Sequence, residues 1–144
     1  MKKITFVVLS ALVLFSCNKS DKDEPQPCTI STTAIAGPYK ITAMTYKASA
    51  SSAEEDYFNI VFDEPCRRDD IYTFNINNTF QLKDAGTVCS PLGDENGTWT
   101  LSGNTMTRDG DALTIESFDC KTLVLVNTDT QTAGDKFKIT MTKQ

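Results

Sequence analysis

The chain has no histidine among its 144 residues, and only one tryptophan. Without an imidazole neither a Ser–His nor a Cys–His nucleophile pair can be assembled, and the commonest metal ligand is missing. No CxxC spacing occurs either, so a zinc site would need four scattered thiolates. We therefore expect no enzyme, no metal and no cofactor. Positive charge is also scarce: 14 Lys and Arg face 19 Asp and Glu, a formal −5. That balance leaves no electrostatic footprint for nucleic acid or for an anionic membrane surface. After the first 16 residues no amphipathic helical pattern of ordinary length can be found, which excludes a helical bundle.

What is present begins with an export signal. Met1-Lys2-Lys3 is a basic start, and the apolar run from Ile4 to Phe15 is too short to cross a bilayer as a helix. Leu14-Phe15-Ser16-Cys17 follows directly. This resembles the lipobox of bacterial lipoproteins, in which a small residue precedes a cysteine that is lipidated and becomes the new N-terminus; an ordinary secretory signal with a chance cysteine is the alternative. Residues 1–16 are then a signal peptide and Cys17 the lipid attachment site. Without Lys2 and Lys3 the balance becomes 12 basic against 19 acidic residues, a formal −7, so membrane attachment must come from the lipid. Residues 17–34 hold the lipidated cysteine and a polar, acidic, proline-bearing tether that cannot pack a core. Asn18 rather than Asp after the cysteine favours the outer membrane over the inner one, facing either the periplasm or the cell exterior.

Five cysteines are an odd number in an exported chain. Assigning Cys17 to lipid leaves Cys28, Cys66, Cys89 and Cys120, an even set in a compartment where disulfides persist.

Residues 35–144 read as strands. Ser102-Gly103-Asn104-Thr105 and Arg108-Asp109-Gly110-Asp111 are two-residue hairpin turns, and both registers can be counted from them. The first sets Leu101 against Met106 and Trp99 against Arg108; the second sets Met106 against Leu113. Leu101, Met106 and Leu113 then form one apolar row, so turn chemistry and hydrophobic alternation agree. Upstream, Gly37 to Tyr46 is a strand whose apolar phase moves from Tyr39, Ile41 and Ala43 to Met44 and Tyr46, which implies a bulge. Tyr57 to Phe62 is read as a strand with Phe58, Ile60 and Phe62 on one side; a short helix starting near Ser52 is the alternative. Asp63 to Asp70 is a charged loop. Ile71 to Ile76 alternates with Tyr72, Phe74 and Ile76 inward, and Asn77-Asn78 turns the chain into Thr79 to Lys83. Setting Phe74 opposite Phe80 requires a bulged three-residue loop with Asn78 in the left-handed conformation. Continued backward, that ladder sets Cys66 against Val88, beside Cys89. We therefore pair Cys66 with Cys89, which leaves Cys28 with Cys120.

Ala85 to Asn96 is a loop, Leu123 to Val126 a strand covered on both faces, Asn127 to Asp135 a polar connection, and Lys136 to Thr142 a strand with Phe137, Ile139 and Met141 inward. Eight or nine short strands in sequence order predict an all-β fold, a small antiparallel up-and-down barrel, with a β-sandwich as the alternative. Closure removes exposed edges, so the barrel is favoured.

Gly37-Pro38-Tyr39, the Cys66-to-Phe74 run with its Asn-Asn turn, Cys89, Gly97-Thr98-Trp99, Leu113-Thr114-Ile115, Leu123-Val124-Leu125 and Phe137-Lys138-Ile139 occur in an order that resembles the small lipocalin-like domain of bacterial lipoproteins, especially those of Bacteroidetes. The resemblance covers about residues 35–144 and implies a β-barrel able to hold a small apolar molecule. Tyr39 stands where the classical Gly-x-Trp pattern has Trp. Candidate ligand-binding residues are Tyr39, Tyr72, Phe74, Trp99 and Arg108, with Phe80 and Leu101 also inside the barrel. Arg108, opposite Trp99, is expected to lie on the indole, either as a lid over the core or as a charged group that meets an anionic ligand. Asp109, Asp111, Asp94 and Glu95 sit where turn chemistry already favours acidic residues and glycine. The expected partner is a small hydrophobic or amphipathic ligand bound by a monomer. A filled barrel acting as an interaction module through Asp63–Asp70 and Ala85–Asn96 is the competing reading.

Overall fold

The computed structural model describes residues 28–144; the signal peptide, Cys17 and most of the tether lie outside the described residues. Nine strands form one antiparallel sheet: β1 (Gly37–Lys47), β2 (Glu55–Asp56), β3 (Ile71–Phe74), β4 (Thr79–Lys83), β5 (Glu95–Ser102), β6 (Thr105–Arg108), β7 (Asp111–Phe118), β8 (Thr122–Thr128) and β9 (Lys136–Lys143). The first strand also pairs with the last, from Tyr39 opposite Lys143 to Lys47 opposite Lys136, so the sheet closes into a ring. On its other side β1 gives Gly37–Tyr39 to β3 and Thr45–Tyr46 to the two-residue β2. β2 is thus a short flap on an eight-stranded ring.

The counted registers are those of the structure. Trp99 faces Arg108, Leu101 faces Met106, Met106 faces Leu113, and Phe74 faces Phe80. Asn78 has φ 68°, and the amide of Asn75 donates to the Thr79 carbonyl at 2.9 Å to close the three-residue loop. Ile76 falls inside that loop and is 65 % exposed, so it does not continue the inward row begun by Tyr72 and Phe74. The expected bulge in β1 lies between Ile41 and Ala43, where the pairing with β9 shifts by one residue. Tyr39 and Ile41 precede it and Met44 follows it on the buried face.

Two segments differ from the sequence reading. Tyr57–Phe62 is not a strand but contains a single helical turn, α2 (Phe58–Val61), later than the alternative start near Ser52. The Asp56 carboxylate accepts from the Phe58 amide at 2.9 Å, and Val61 N donates to Tyr57 O at 3.0 Å. Phe58 and Phe62 then stack one turn apart, with centroids at 5.2 Å; Phe62 is buried and Ile60 faces solvent. Strand propensity in such a segment depends on a neighbour to pair with, and here only Glu55 and Asp56 find a place on β1. Upstream, Cys28–Ala34, part of the expected tether, is folded onto the barrel. Ser31 caps α1 (Thr32–Ile35) by accepting from the Ala34 amide, and Ile35 is fully buried.

Both cysteine pairs are bonded: Cys28 to Cys120 and Cys66 to Cys89, with Cα atoms 5.2 and 5.4 Å apart. The first ties the leading segment to the β7–β8 turn, where Cys28 N also donates to Phe118 O at 2.9 Å. The second staples a 3-10 turn at Pro65–Arg68 to the loop between β4 and β5. That loop ends at Asp94, slightly earlier than expected, because Leu82 pairs with Glu95.

Candidate functional site

Up-and-down connectivity gives the barrel two unlike ends. At one lie α1 and the tight turns after β3, β5 and β7; at the other lie the long connections β1–β3, β4–β5 and β8–β9.

The short-turn end is plugged. Ile35 sits inside it, held by Tyr39, whose hydroxyl donates to Ile35 O at 2.7 Å. Lys143 lies over the Tyr39 ring at 5.6 Å and donates to Ala34 O at 2.9 Å. Phe74 is in ring contact with Tyr39 at 5.8 Å, Phe80 at 5.4 Å and Trp99 at 5.4 Å, and the Trp99 indole N–H donates to Asn75 O at 2.9 Å. Each such aromatic pair adds about 0.5–1.5 kcal/mol to the burial itself. Tyr39, Phe74 and Trp99 are therefore brought together as packed core, each almost fully buried. Burial pushes the Tyr39 hydroxyl up to about 12.

Arg108 does not lie on the indole. Its guanidinium carbon is 5.1 Å from the centroid of Phe80. Phe80 pairs with Gly97, and the space a side chain would take at Gly97 is filled by the Asp109 carboxylate. A Cβ at Gly97 would collide with the carboxylate of Asp109, which accepts from the Thr98 amide at 2.7 Å. A cation on an aromatic face is worth about 0.5–2 kcal/mol, and here the ring is Phe80 rather than Trp99.

The long-loop end is where the interior opens. A cavity of about 190 Å³ is lined by Phe62, Arg67, Asp70, Tyr72, Leu82, Cys89, Pro91, Leu92, Gly93 and Glu95. It takes in Tyr72, one of the expected ligand-binding residues, and reaches neither Tyr39 nor Trp99. A wider depression of about 500 Å³ lies at the opposite end, where the leading segment crosses β7 at Cys28, Ile30 and Phe118.

The acidic residues around the smaller cavity follow from strand alternation. Asp70 precedes Tyr72 and Phe74 by two and four residues; Asp84 follows Leu82 and Phe80; Glu95 precedes Gly97 and Trp99. With side chains alternating between the two faces, these three carboxylates continue the inward rows of β3, β4 and β5 at the same end. The alternation that places them is legible in the sequence, although dense charge there equally fits a solvated loop. Phe62 and Leu92 carried no such signal, because loop packing brings them to the cavity.

The carboxylates have different fates. Asp84 is buried and accepts from the amides of Cys89 at 3.0 Å and Gly93 at 3.0 Å. Asp70 is only 6 % exposed, and its Oδ1 is buried without a hydrogen-bond partner. Burial raises its pKa, the Ala85 amide opposes this, and the Asp84 and Asp69 charges add to the rise. Burial also pushes the nearby Tyr72 hydroxyl up to about 12, with the Asp70 charge contributing in the same direction. Asp135, in the β8–β9 loop, shows the opposite outcome. Burial alone would raise its pKa, but donation from the amides of Thr132, Thr130 and Gln131 outweighs this and brings it down to about 2.

Among the described residues, Glu64, Cys66 and Cys89 form a group of three potential metal ligands with converging donor atoms, but both sulfurs are consumed by the disulfide. No helix among the described residues is long and apolar enough to cross a membrane.

The fold is a closed antiparallel up-and-down barrel, its interior filled at one end and open at the other. The model of the lipocalin-like domain family matches residues 35–128, well over half of the sequence, and the chain belongs to that family. A search of curated proteins finds no match.

Proposed function

We propose that this protein is an exported, lipid-anchored, non-enzymatic barrel that binds one small hydrophobic or amphipathic molecule at its long-loop end. The observation that carries the reading is the cavity bounded by Phe62, Tyr72 and Leu82 on a barrel whose interior at the other end is filled by Ile35, Tyr39, Phe74 and Trp99. At about 190 Å³ it lies below the roughly 300–1,000 Å³ of pockets for drug-sized molecules, so the ligand is small. Anchoring rests on the basic start, the short apolar run and Leu14-Phe15-Ser16-Cys17; the two disulfides support an oxidising compartment. We place the protein at the outer membrane, facing the periplasm or the exterior, as a monomer without nucleic-acid partners.

Native mass spectrometry of the protein isolated from its own host tests the ligand: a stoichiometric small-molecule adduct is expected, and its loss on filling the cavity with Leu82→Trp. A consistently adduct-free barrel would oppose this reading. Cys17→Ala should release the protein from the membrane fraction; unchanged partition would refute the anchor.

One observation favours a second reading. Ile60, Val61, Val88 and Leu92 are large, exposed and all in the loops of the cavity end, as an interaction surface would require. Those loops would then bind a protein partner, with the cavity as a packing defect.

A further inference from the structure

We propose that the long-loop cavity selects a ligand with a protonated amine on a small apolar body, the ammonium group meeting Asp70 and the body lying against Phe62, Tyr72 and Leu82. This rests on the ligand-binding reading above and names its chemistry. Asp70 forms part of the cavity wall, is nine-tenths buried, and leaves Oδ1 without a donor. Buried carboxylate oxygens are ordinarily satisfied, as those of Asp84 and Asp135 are in this same protein. A terminal carboxylate torsion is soft, so Asp70 can turn its free oxygen towards a donor in the cavity. No described residue bonds the Tyr72 hydroxyl, leaving a second polar group to help orient the ligand.

The charges around the site give the sign. Facing Asp70 are Asp69 beside it, Asp84 from the β4–β5 connection, Arg67 from the 3-10 turn, and Tyr72 and Glu95 on the cavity wall. Arg67 is engaged by Glu64 at 2.8 Å, and Arg108 lies against Phe80. Arg67 is thus shared with Glu64, while Asp70 keeps an acceptor free. An anionic ligand would meet Asp70 and Glu95 with only the shared Arg67 to offset them; an ammonium group supplies the missing donor.

The test uses the whole mature protein and three matched probes: benzylammonium, benzyl alcohol and benzoate. Amide and side-chain NMR shifts at Phe62, Tyr72 and Leu82 report binding. Benzylammonium should bind roughly tenfold or more tightly than benzyl alcohol, benzoate should bind most weakly, and Asp70→Asn should remove the ammonium preference. In the unmutated protein, affinity for benzylammonium should fall as pH is lowered and Asp70 protonates, since the probe stays charged throughout; this arm holds even if the variant does not fold. Equal binding of the ammonium and the alcohol, or tighter binding of benzoate, would overturn the amine assignment while leaving the cavity as a ligand site. If none of the three shifts the cavity residues, the ligand-binding reading fails with it.

Discussion

The two ends of the barrel are built from the same strands and differ in how completely their groups are partnered. At the short-turn end the aromatic rings interlock and each polar tip is used: Tyr39 on Ile35 O, Trp99 on Asn75 O, Lys143 on Ala34 O. At the long-loop end a cavity remains, four large apolar side chains face solvent, and Asp70 keeps an unsatisfied oxygen. Tight turns allow neighbouring strands to bring their inward rows into contact, whereas long connections hold the strand ends apart and must cover the gap with loops. One end therefore contributes stability, and the other is left with unpartnered groups.

The strongest way to break this contrast is to cut each end's disulfide. Closing 92 residues, Cys28–Cys120 should contribute about 4–5 kcal/mol at the plugged end; closing 23, Cys66–Cys89 should contribute about 3–4 kcal/mol. Urea unfolding of the two double Cys→Ser variants should rank them in that order. Loss of the Cys66–Cys89 bridge should also loosen the cavity residues selectively, read by hydrogen exchange at Phe62 and Leu82. A reversed ranking would mean that the plugged end is not the stabilising one.

A smaller effect is expected at Tyr39. Tyr39→Phe keeps the ring and deletes only the hydroxyl, leaving the buried Ile35 carbonyl unpaired at a cost of about 1–3 kcal/mol. Tyr72→Phe, at the other end, removes a hydroxyl with no described partner and should cost less than about 0.5 kcal/mol. Equal losses in denaturant titrations would erase the distinction between packed and open ends.

Asp70 and Asp135 sharpen the comparison within the long-loop end. The folded pKa of Asp135 is depressed to about 2, so its contribution is present above the unfolded value near 4 and is lost as pH falls towards 2. Acid unfolding should take up about one proton through this group, and Asp135→Ala should remove that dependence. Asp70 has the opposite sign. Its folded pKa is raised, so its contribution is present below the unfolded value and is lost as pH rises through the folded one. Asp70→Asn should therefore raise stability at pH 7 and leave it unchanged near pH 3, as melting curves at the two pH values would show. The smallest effect should come from Leu92→Ser, whose side chain is 58 % exposed: stability within about 0.5 kcal/mol of the unmutated protein.

The difference between the ends also marks where the sequence was legible. Gly103-Asn104 and Asp109-Gly110 fix their hairpins because few residues tolerate the positive φ that such turns demand, and the register follows by counting. Asn78 fixes the third hairpin in the same way. Local chemistry, with a hydrophobic period of two, thus determined the strands from β3 onward and the all-β class, and the hairpin register pointed to the cysteine pairing. Phe58-Asn59-Ile60-Val61 alternates like a strand but coils, because whether such a segment pairs depends on a neighbour to pair with, and only Glu55 and Asp56 pair with β1. Arg108 met Phe80, two strands away, rather than its cross-strand partner Trp99, because a long side chain is placed by the interior it meets and not by its register alone. The plug by Ile35, the cavity beneath Phe62 and the unsatisfied oxygen of Asp70 are likewise products of ring closure and loop packing. The sequence alone determined strands, turns and the barrel class, since those depend on a few neighbouring dihedrals and a short period. Tertiary structure decided which end was filled and which was left open, since that depends on side chains distant in the chain meeting across a closed interior.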